Sequence, residues 1–327
     1  MKYVLGVDGG NSKTDYLLHD LDGRLVRHMR ASTCSHESLG MEGAQREMKA
    51  CVARLLEKAG VSLSDIAAAA FGLAGVDQAE QKAELEKIVL AIGFQKSIVM
   101  NDSFLGIKAG SETGVGICFI NGTGTAAGGI DGTGKWVQVG GYGYVSGDEG
   151  GGVYIAKTIL RAAYDAVYRF GPETLLLGRV CALLGCAESA LHDAVSTQYL
   201  EGRKVPMLEI IGLLFSACDE GDAVALGIMR HIADCLARSA AGCAVRLSFE
   251  RSVPVVLIGS VWTKGLYQPM IRRFQDEFEA HAKKEAEIHI LAVPPATGSV
   301  LWALELATGE VPARALRQRV IEETKGL

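Results

Sequence analysis

The sequence has few of the features that mark secreted, membrane-spanning or nucleic-acid-binding proteins. Its eight cysteines include no C-x-x-C pair and no secretory apolar segment opens the chain, so we expect reduced thiols in a cytoplasmic protein. The apolar stretch from Ile66 to Val76 is far shorter than the ~20 residues of a membrane span. Lys and Arg number 33 against 38 acidic residues, so we expect neither nucleic acid nor an anionic membrane as a partner. Small-molecule chemistry is the remaining expectation.

Length and composition are those of an ordinary globular protein with two domains. The chain has 327 residues, of which 49% are hydrophobic and 22% charged. Strands and helices alternate after an N-terminal meander of three strands, which predicts an α/β fold of mixed sheets with flanking helices. No low-complexity linker divides the chain. We predict an N-terminal domain over residues 1–114, a C-terminal domain over 115–310 and a charged terminal helix within 311–327.

Glycine is abundant, and it is concentrated in residues 115–152. An apolar strand over residues 115–120 leads into NGTGT at 121–125, and Gly-rich backbone continues to Asp148 and Glu149. Because glycine has no Cβ, it lets backbone N–H groups crowd around an anion and permits turns with positive φ. The segment therefore predicts a phosphate site. A Gly-rich hairpin without a ligand is the alternative.

The N-terminus repeats the same order of elements. A strand over residues 3–7 leads into DGGNSKT at 8–14, a second strand over 16–18 follows, and Asp22-Gly23 forms a hairpin turn. The two strand–loop–strand units lie about a third of the chain apart, which indicates an ancient duplication. Two facing halves that each carry a phosphate-binding hairpin predict a nucleotide cleft.

Three segments in this order resemble a known superfamily. DGGNSKTD, NGTGT followed by GGYGYVSGDEGG, and VPVVLIGSVW look like the two phosphate segments and the adenosine segment of the sugar kinase, heat-shock-70 and actin superfamily. Over nearly its whole length the chain is similar to the N-acetylglucosamine kinase branch of the BadF/BadG/BcrA/BcrD-type ATPases. The resemblance implies duplicated actin-like (ribonuclease H-like) domains around a nucleotide cleft, and ATP and Mg²⁺ as cofactors. It also implies phosphoryl transfer to an amino sugar hydroxyl, with O6 as the expected acceptor, and a homodimer.

Two aspartates are the candidates for chemistry. Asp102 follows the predicted strand 97–101, at the sheet edge where open α/β folds bind ligands, and a carboxylate there can accept the proton of an acceptor hydroxyl. Its alternative is a helix N-cap, and the resemblance favours catalysis. Asp8 ends the first strand beside the Gly-rich turn, where a hard carboxylate suits Mg²⁺ bound through water. Its alternative is an Asx turn.

The predicted ATP contacts come from the two turns and from the strand near residue 258. Backbone N–H groups and hydroxyls there match phosphate charge. Lys13 could equally be a solvated surface charge, and Gly259-Ser260 could be a plain strand-to-helix turn. The predicted contacts are Gly9, Gly10, Asn11, Ser12, Lys13, Thr14, Gly122, Thr123, Gly124, Gly259, Ser260 and Lys264.

The predicted sugar contacts follow from the resemblance and surround Asp102. His36 is placed in a polar loop, where it could also be merely solvated. Ser146 and Glu149 fit an S-x-x-E capping box that opens a helix predicted over 152–168. The predicted contacts are Ser35, His36, Asp102, Thr125, Gly141, Tyr142, Gly143 and Asp148.

The match to the N-acetylglucosamine kinase pattern fails at two positions. Ser35 and Ala126 stand where the resemblance leads us to expect asparagines, so the sugar is left open among glucosamine, N-acetylglucosamine and N-acetylmuramic acid.

One alternative function is an activator ATPase of a CoA-linked dehydratase or reductase, which carries cysteines around an iron–sulfur cluster. No cysteine lies near residues 147–150 in the sequence. The other alternative is a non-catalytic nucleotide or sugar sensor.

Overall fold

The first of two five-stranded sheets is built from the N-terminal third of the chain. In the computed structural model, which describes residues 1–122, 124–200, 206–263 and 267–327, its strand order is β3-β2-β1-β4-β5. β2 is antiparallel to β1 and β3, whereas β4 and β5 run parallel to β1. The strands are β1 (Tyr3–Gly9), β2 (Lys13–Asp20), β3 (Leu25–Ser32), β4 (Ile66–Leu73) and β5 (Ser97–Met100).

The second sheet repeats this topology. Its order is β8-β7-β6-β9-β10, with an antiparallel meander β6-β7-β8 and with β9 and β10 parallel to β6. The identical order in both sheets confirms the predicted fold class of duplicated mixed sheets with flanking helices. Strand β8 was not predicted, because its five residues lie between glycine-rich turns. The strands are β6 (Gly116–Asn121), β7 (Thr125–Ile130), β8 (Trp136–Gly140), β9 (Ser252–Ile258) and β10 (Glu285–Ile290).

Twelve helices are found in the described ranges. They are α1 (His36–Ala59), α2 (Ala79–Ile92), α3 (Ser103–Gly110), α4 (Gly152–Tyr168), α5 (Leu175–Leu184), α6 (Leu191–Leu200), α7 (Met207–Asp219), α8 (Ala223–Ala244), α9 (Ser260–Thr263), α10 (Gln268–Ala282), α11 (Ala296–Thr308) and α12 (Arg314–Thr324). No single one of them has both the length and the apolar character of a membrane span. Only the bent pair of α5 with residues 188–197 meets that test, by length and composition alone.

Helix α1 begins earlier than predicted. The sequence pattern predicts an irregular segment over residues 31–38 and a helix over 41–59, but α1 starts at His36 and is interrupted at Gly40, whose φ is +68°. Because the first turn lies before this kink, it carries none of the apolar stripe that marks the rest of the helix. The prediction that His36 lies in a polar loop is therefore wrong.

Helices α3 and α11 lie between the two sheets and join them. Their apolar residues share one core cluster with strands of both sheets. A Cβ on Gly298 would lie 1.9 Å from the backbone oxygen of Leu105, so the two helices can approach this closely only with glycine at that position. Trp302 in α11 and Trp262 in α9 are buried, 8% and 1% exposed.

The C-terminal helix α12 returns to the first sheet. Its Arg317 is 7% exposed and donates hydrogen bonds to the backbone oxygens of Lys108 and Ala109 at the end of α3. Arg319 donates to the backbone oxygen of Asp22 in the β2–β3 turn, at 2.8 Å. The last helix therefore packs on the N-terminal part of the chain.

Candidate active site

The two hairpin turns form equivalent corners of the two sheets. In the β1–β2 turn, Gly10 N donates to Lys13 O at 3.0 Å, and in the β6–β7 turn Gly122 N donates to Gly124 O at the same distance. A Cβ on Gly122 or Gly124 would meet nothing within 4 Å. Protein packing therefore does not require glycine at these two positions, which leaves space for a ligand beside the backbone. Thr123 lies outside the described residues.

The segment that carries Ser35 and His36 is fixed against the first hairpin. Cys34 N donates to Thr14 Oγ1 at 3.0 Å, and Asn11 Nδ2 donates to Glu37 Oε2 at 3.0 Å. Thr14 is fully buried, so its hydroxyl orders this segment instead of facing the open side of the turn. Sequence reasoning missed Glu37, although it directly follows the predicted sugar residues.

Ser35 and His36 differ in what they can still bind. Ser35 is 1% exposed, and its hydroxyl accepts the N–H of Glu37 as the cap of α1. Both ring nitrogens of His36 are buried and have no hydrogen-bond partner among the described residues. Because buried polar atoms are nearly always paired, the His36 imidazole is the better candidate for contact with a ligand.

Asp102 lies between the end of β5 and the start of α3, at the N-cap position of the helix. The first N–H of α3, from Ser103, is accepted by Asn101 Oδ1 at 2.9 Å. Asp102 therefore occupies the N-cap position of α3, but its side chain makes no capping hydrogen bond. Burial, and then the negative charge of Asp77, raises the pKa of Asp102 to about 6.

Asp8 lies close enough to Asp102 for the charge of Asp102 to raise the pKa of Asp8. Burial, followed by the charge of Asp102, raises the pKa of Asp8 to about 7, against the opposing effects of Lys13 and then of the Ala296 backbone N–H at the start of α11. A buried carboxylate near a second one is stabilised in its charged form by a cation, and oxygen ligands suit Mg²⁺. The donor set at Asp8 therefore fits the predicted metal.

A cavity of about 360 Å³ opens beside the second hairpin. It brings together five residues predicted for ATP or sugar binding, namely Gly124, Thr125, Gly141, Gly143 and Asp148. Tyr142 is 58% exposed and does not line it. Six other lining residues were not among the predicted contacts. They are Tyr144, Glu149, Gly151, Val153, Tyr154 and Lys157.

Comparison with known proteins assigns the family. The model of the BadF/BadG/BcrA/BcrD ATPase family matches residues 5–303. The chain belongs to this family. It is 31% identical over 235 residues to the N-acetylmuramic acid/N-acetylglucosamine kinase of Clostridium acetobutylicum, covering 71% of this chain and 76% of that protein. It is 24% identical to the N-acetyl-D-glucosamine kinase of Dictyostelium discoideum over 92% of this chain and 97% of that protein.

A solved structure supports the fold of this member of the BadF/BadG/BcrA/BcrD family. The structure comes from Chromobacterium violaceum and has a TM-score of 0.63, with 22% identity over 94% of this chain and 99% of that one. At this identity the likeness shows the fold alone.

Asp148 folds the glycine-rich loop of this family member. Its Oδ2 accepts hydrogen bonds from Gly141 N (2.9 Å), Gly143 N (2.7 Å) and Ser146 Oγ (2.8 Å). Within the described ranges its Oδ1 accepts no hydrogen bond. One oxygen of this carboxylate therefore orders the loop, and the other is available to a ligand in the cavity.

The predicted capping box of residues 146–149 is wrong. Helix α4 is preceded by Gly151, which is its N-cap residue, and Ser146 Oγ bonds to Asp148 instead. The chain turns away after Ser146, because Gly147 has a φ of +75°. The S-x-x-E pattern therefore arose by coincidence within a loop that Asp148 organises.

Gly259 is explained by packing between strands. A Cβ there would lie 1.9 Å from the backbone oxygen of Asn121 at the end of β6, and its φ is +112°. Close approach of β9 to β6 therefore requires glycine whether or not a nucleotide binds. Ser260 begins α9, so the plain-turn alternative is compatible with both residues. Lys264 lies outside the described residues.

Asp77 links the two sheets beside Asp102. It accepts hydrogen bonds from Asn101 Nδ2 at 2.9 Å and from Gln138 Nε2 of β8 at 2.6 Å.

One cysteine does lie near residues 147–150 in space, although none is near them along the sequence. The fold brings Cys235 of α8 close to Glu149. A single cysteine does not make an iron–sulfur site, which is held by several thiolates.

Proposed function

We propose that this protein is an ATP-dependent kinase that phosphorylates a hydroxyl of an amino sugar, with N-acetylglucosamine and N-acetylmuramic acid as the first candidates. The observation that carries the proposal is the placement of Asp102. Its carboxylate lies at a strand end, makes no capping bond and interacts with Asp8 beside the first Gly-rich hairpin. The names of the Clostridium and Dictyostelium relatives support the same sugar class.

Asp102 is the proposed general base. The acceptor hydroxyl must lose a proton as it attacks the γ-phosphoryl group, and a carboxylate within hydrogen-bond reach can accept it. A pKa of about 6 leaves this group mostly ionised at neutral pH while making it a stronger base than an ordinary aspartate. General bases of this kind contribute about 10²–10⁴-fold to the rate.

The two hairpins are the proposed phosphate contacts. Residues 9–13 of the first turn, and Gly122, Gly124 and Thr125 of the second, offer backbone N–H groups and hydroxyls to the triphosphate from opposite sheets. Asp8 would hold Mg²⁺, which neutralises charge on the β- and γ-phosphates when bound. Gly259 and Ser260 stay candidates for the adenosine contact, because they lie in the VPVVLIGSVW segment that resembles the adenosine segment of the superfamily.

The cavity lined by Thr125 and Asp148 is the proposed sugar pocket. Asp148 Oδ1 can accept a hydrogen bond from a ring hydroxyl. His36 is proposed as a second contact, outside the residues that line this cavity, through ring nitrogens that are unpaired in the described part of the chain. Ala126 Cβ lies 3.9 Å from the position of a Cβ on Gly141, so the residue that replaces the expected asparagine adjoins this pocket. Its small side chain leaves room for a substituent larger than a hydroxyl. We propose O6 as the acceptor, because it is the primary hydroxyl of these sugars.

The decisive experiment is a coupled assay of ADP release over a panel of sugars with Mg²⁺. We expect ADP release to depend on N-acetylglucosamine or N-acetylmuramic acid and to exceed the rate without sugar by orders of magnitude. NMR of the product then tests whether O6 carries the phosphate. The proposal is wrong if no amino sugar raises ADP release above the sugar-free rate.

A further inference from the structure

Three side chains with metal-binding atoms meet where the loop of residues 147–151 contacts α8. His231 and Cys235 are four residues apart on α8, so they lie on one face of the helix. His231 Nε2 is 2.6 Å from Glu149 Oε2 and 3.6 Å from Cys235 Sγ. All three donor atoms lie within 4.8 Å of one another. None of the three has a proposed catalytic role.

The separations fit a tetrahedral zinc ion with one small adjustment. Typical Zn–S and Zn–N bonds place a thiolate and an imidazole nitrogen about 3.6 Å apart at the tetrahedral angle, which is the separation of Cys235 Sγ and His231 Nε2. The corresponding nitrogen–oxygen separation is about 3.4 Å. Glu149 would therefore have to withdraw from His231 by about 0.8 Å, a movement within the range of a side-chain rotation.

The chemistry of the three donors selects the class of metal. One carboxylate, one neutral imidazole and one thiolate carry two negative charges together, which balance a divalent cation. Mixed nitrogen, oxygen and sulfur ligands suit Zn²⁺, whereas Mg²⁺ takes oxygen ligands and iron–sulfur clusters take several thiolates. The His231 side chain is 51% exposed, so solvent can reach the site and supply a fourth ligand.

The backbone that presents these donors is held in place. A Cβ on Gly150 would lie 2.3 Å from the side chain of Leu236, the residue after Cys235, and Leu236 is 1% exposed. The loop therefore packs directly on α8. Tyr154 Oη donates to Glu149 Oε2 at 3.1 Å, an outer contact of the kind that orients a ligating carboxylate.

We propose that Glu149, His231 and Cys235 bind a Zn²⁺ ion, with water as the fourth ligand. The ion ties α8 to the loop that carries Asp148, next to the cavity that Glu149 and Tyr154 also line. The inference rests on these three residues and not on the proposed kinase activity, so each can fail without the other.

Cobalt substitution tests the site directly, since it reports the thiolate ligand by absorption. Chelator-treated protein titrated with Co²⁺ without oxygen is expected to bind one equivalent, with a near-ultraviolet thiolate-to-cobalt charge-transfer band that Zn²⁺ abolishes. Cys235→Ser is expected to lose this band. The matched control, Cys186→Ser, removes another half-buried thiol and is expected to keep it.

Two further variants test the other ligands. His231→Ala and Glu149→Gln are expected to weaken Co²⁺ binding at least about tenfold, because loss even of an outer contact costs about 10–100-fold. His231 is half exposed, so its removal leaves the fold intact, which circular dichroism verifies. Absence of the charge-transfer band in the unaltered protein, its persistence in Cys235→Ser, or unchanged affinity in His231→Ala overturns the proposal and leaves a simple Glu149–His231 ion pair.

Discussion

Replacing Asp102 by asparagine is expected to abolish most of the activity while stabilising the protein. Asparagine keeps the size of the side chain but cannot accept the proton of the acceptor hydroxyl, so kcat should fall by about 10²–10⁴-fold. The opposite effect on stability follows from the raised pKa. Burial penalises the charged carboxylate in the folded state, and asparagine carries no charge to bury.

The size of this stability difference and its pH dependence both follow from the raised pKa of Asp102. A rise from 3.8 to about 6 corresponds to at most about 3 kcal/mol at neutral pH. Because Asp102 is only partly buried by surface area, solvent screening reduces this to about 1–2 kcal/mol. In the wild type the folded state binds the Asp102 proton more tightly than the unfolded state does. The free energy of unfolding of the wild type therefore falls as pH rises from about 4 to above 6. The extra stability of the asparagine variant relative to wild type should therefore grow over this pH interval and then level off.

The assay combines turnover with chemical denaturation of the ligand-free protein between pH 4 and pH 8. Asp22→Asn is the control, because Asp22 is an exposed aspartate in the β2–β3 turn, where asparagine is equally suited, and its loss should change neither quantity. Full turnover in Asp102→Asn would refute the assignment of the base. A stability difference from wild type that does not grow with pH would refute the claim that this carboxylate is desolvated.

Three further predictions concern neighbouring features of the site and the fold. Asp77→Asn removes a charge that raises the pKa of Asp102, so the acid limb of the pH–rate profile should move to lower pH; an unmoved limb contradicts this. Gly298→Ala should destabilise the protein by about 3 kcal/mol in denaturant unfolding, because its Cβ would collide with a backbone oxygen of α3. Gly227→Ala, on a helix with open space around it, should instead stabilise by up to about 1 kcal/mol. Lys157→Met removes a cation from the cavity wall and should raise the KM for MgATP or sugar at least severalfold with little effect on stability; unchanged KM values exclude a role in binding.

The local parts of this architecture could be predicted from the sequence. Both Gly-rich hairpins follow apolar strands, so turn chemistry and hydrophobic runs locate them without tertiary information. The position of Asp102 at a strand end follows in the same way. The family assignment is confirmed, because the resemblance depended on three motifs in order and not on any single one.

Features that depend on competing or distant contacts could not be predicted. The capping pattern at Ser146 fails because Asp148 offers that hydroxyl a stronger partner, a charged acceptor two residues away. The bond of Gln138 to Asp77 joins different sheets, and the meeting of Glu149 with α8 joins residues 82 positions apart. Neither leaves a periodic signal in the sequence. Gly259 shows the opposite difficulty. It lies in the segment that resembles an adenosine segment, but strand packing alone accounts for the glycine.

The most direct test of the account is a crystal structure with Mg²⁺, a non-hydrolysable ATP analogue and the preferred amino sugar. We predict that the β1–β2 and β6–β7 turns contact the same triphosphate from opposite sheets, and that a sugar hydroxyl lies within hydrogen-bond distance of the Asp102 carboxylate. A triphosphate that touches only one of the two turns, or a sugar bound away from Asp102, would contradict the proposed mechanism.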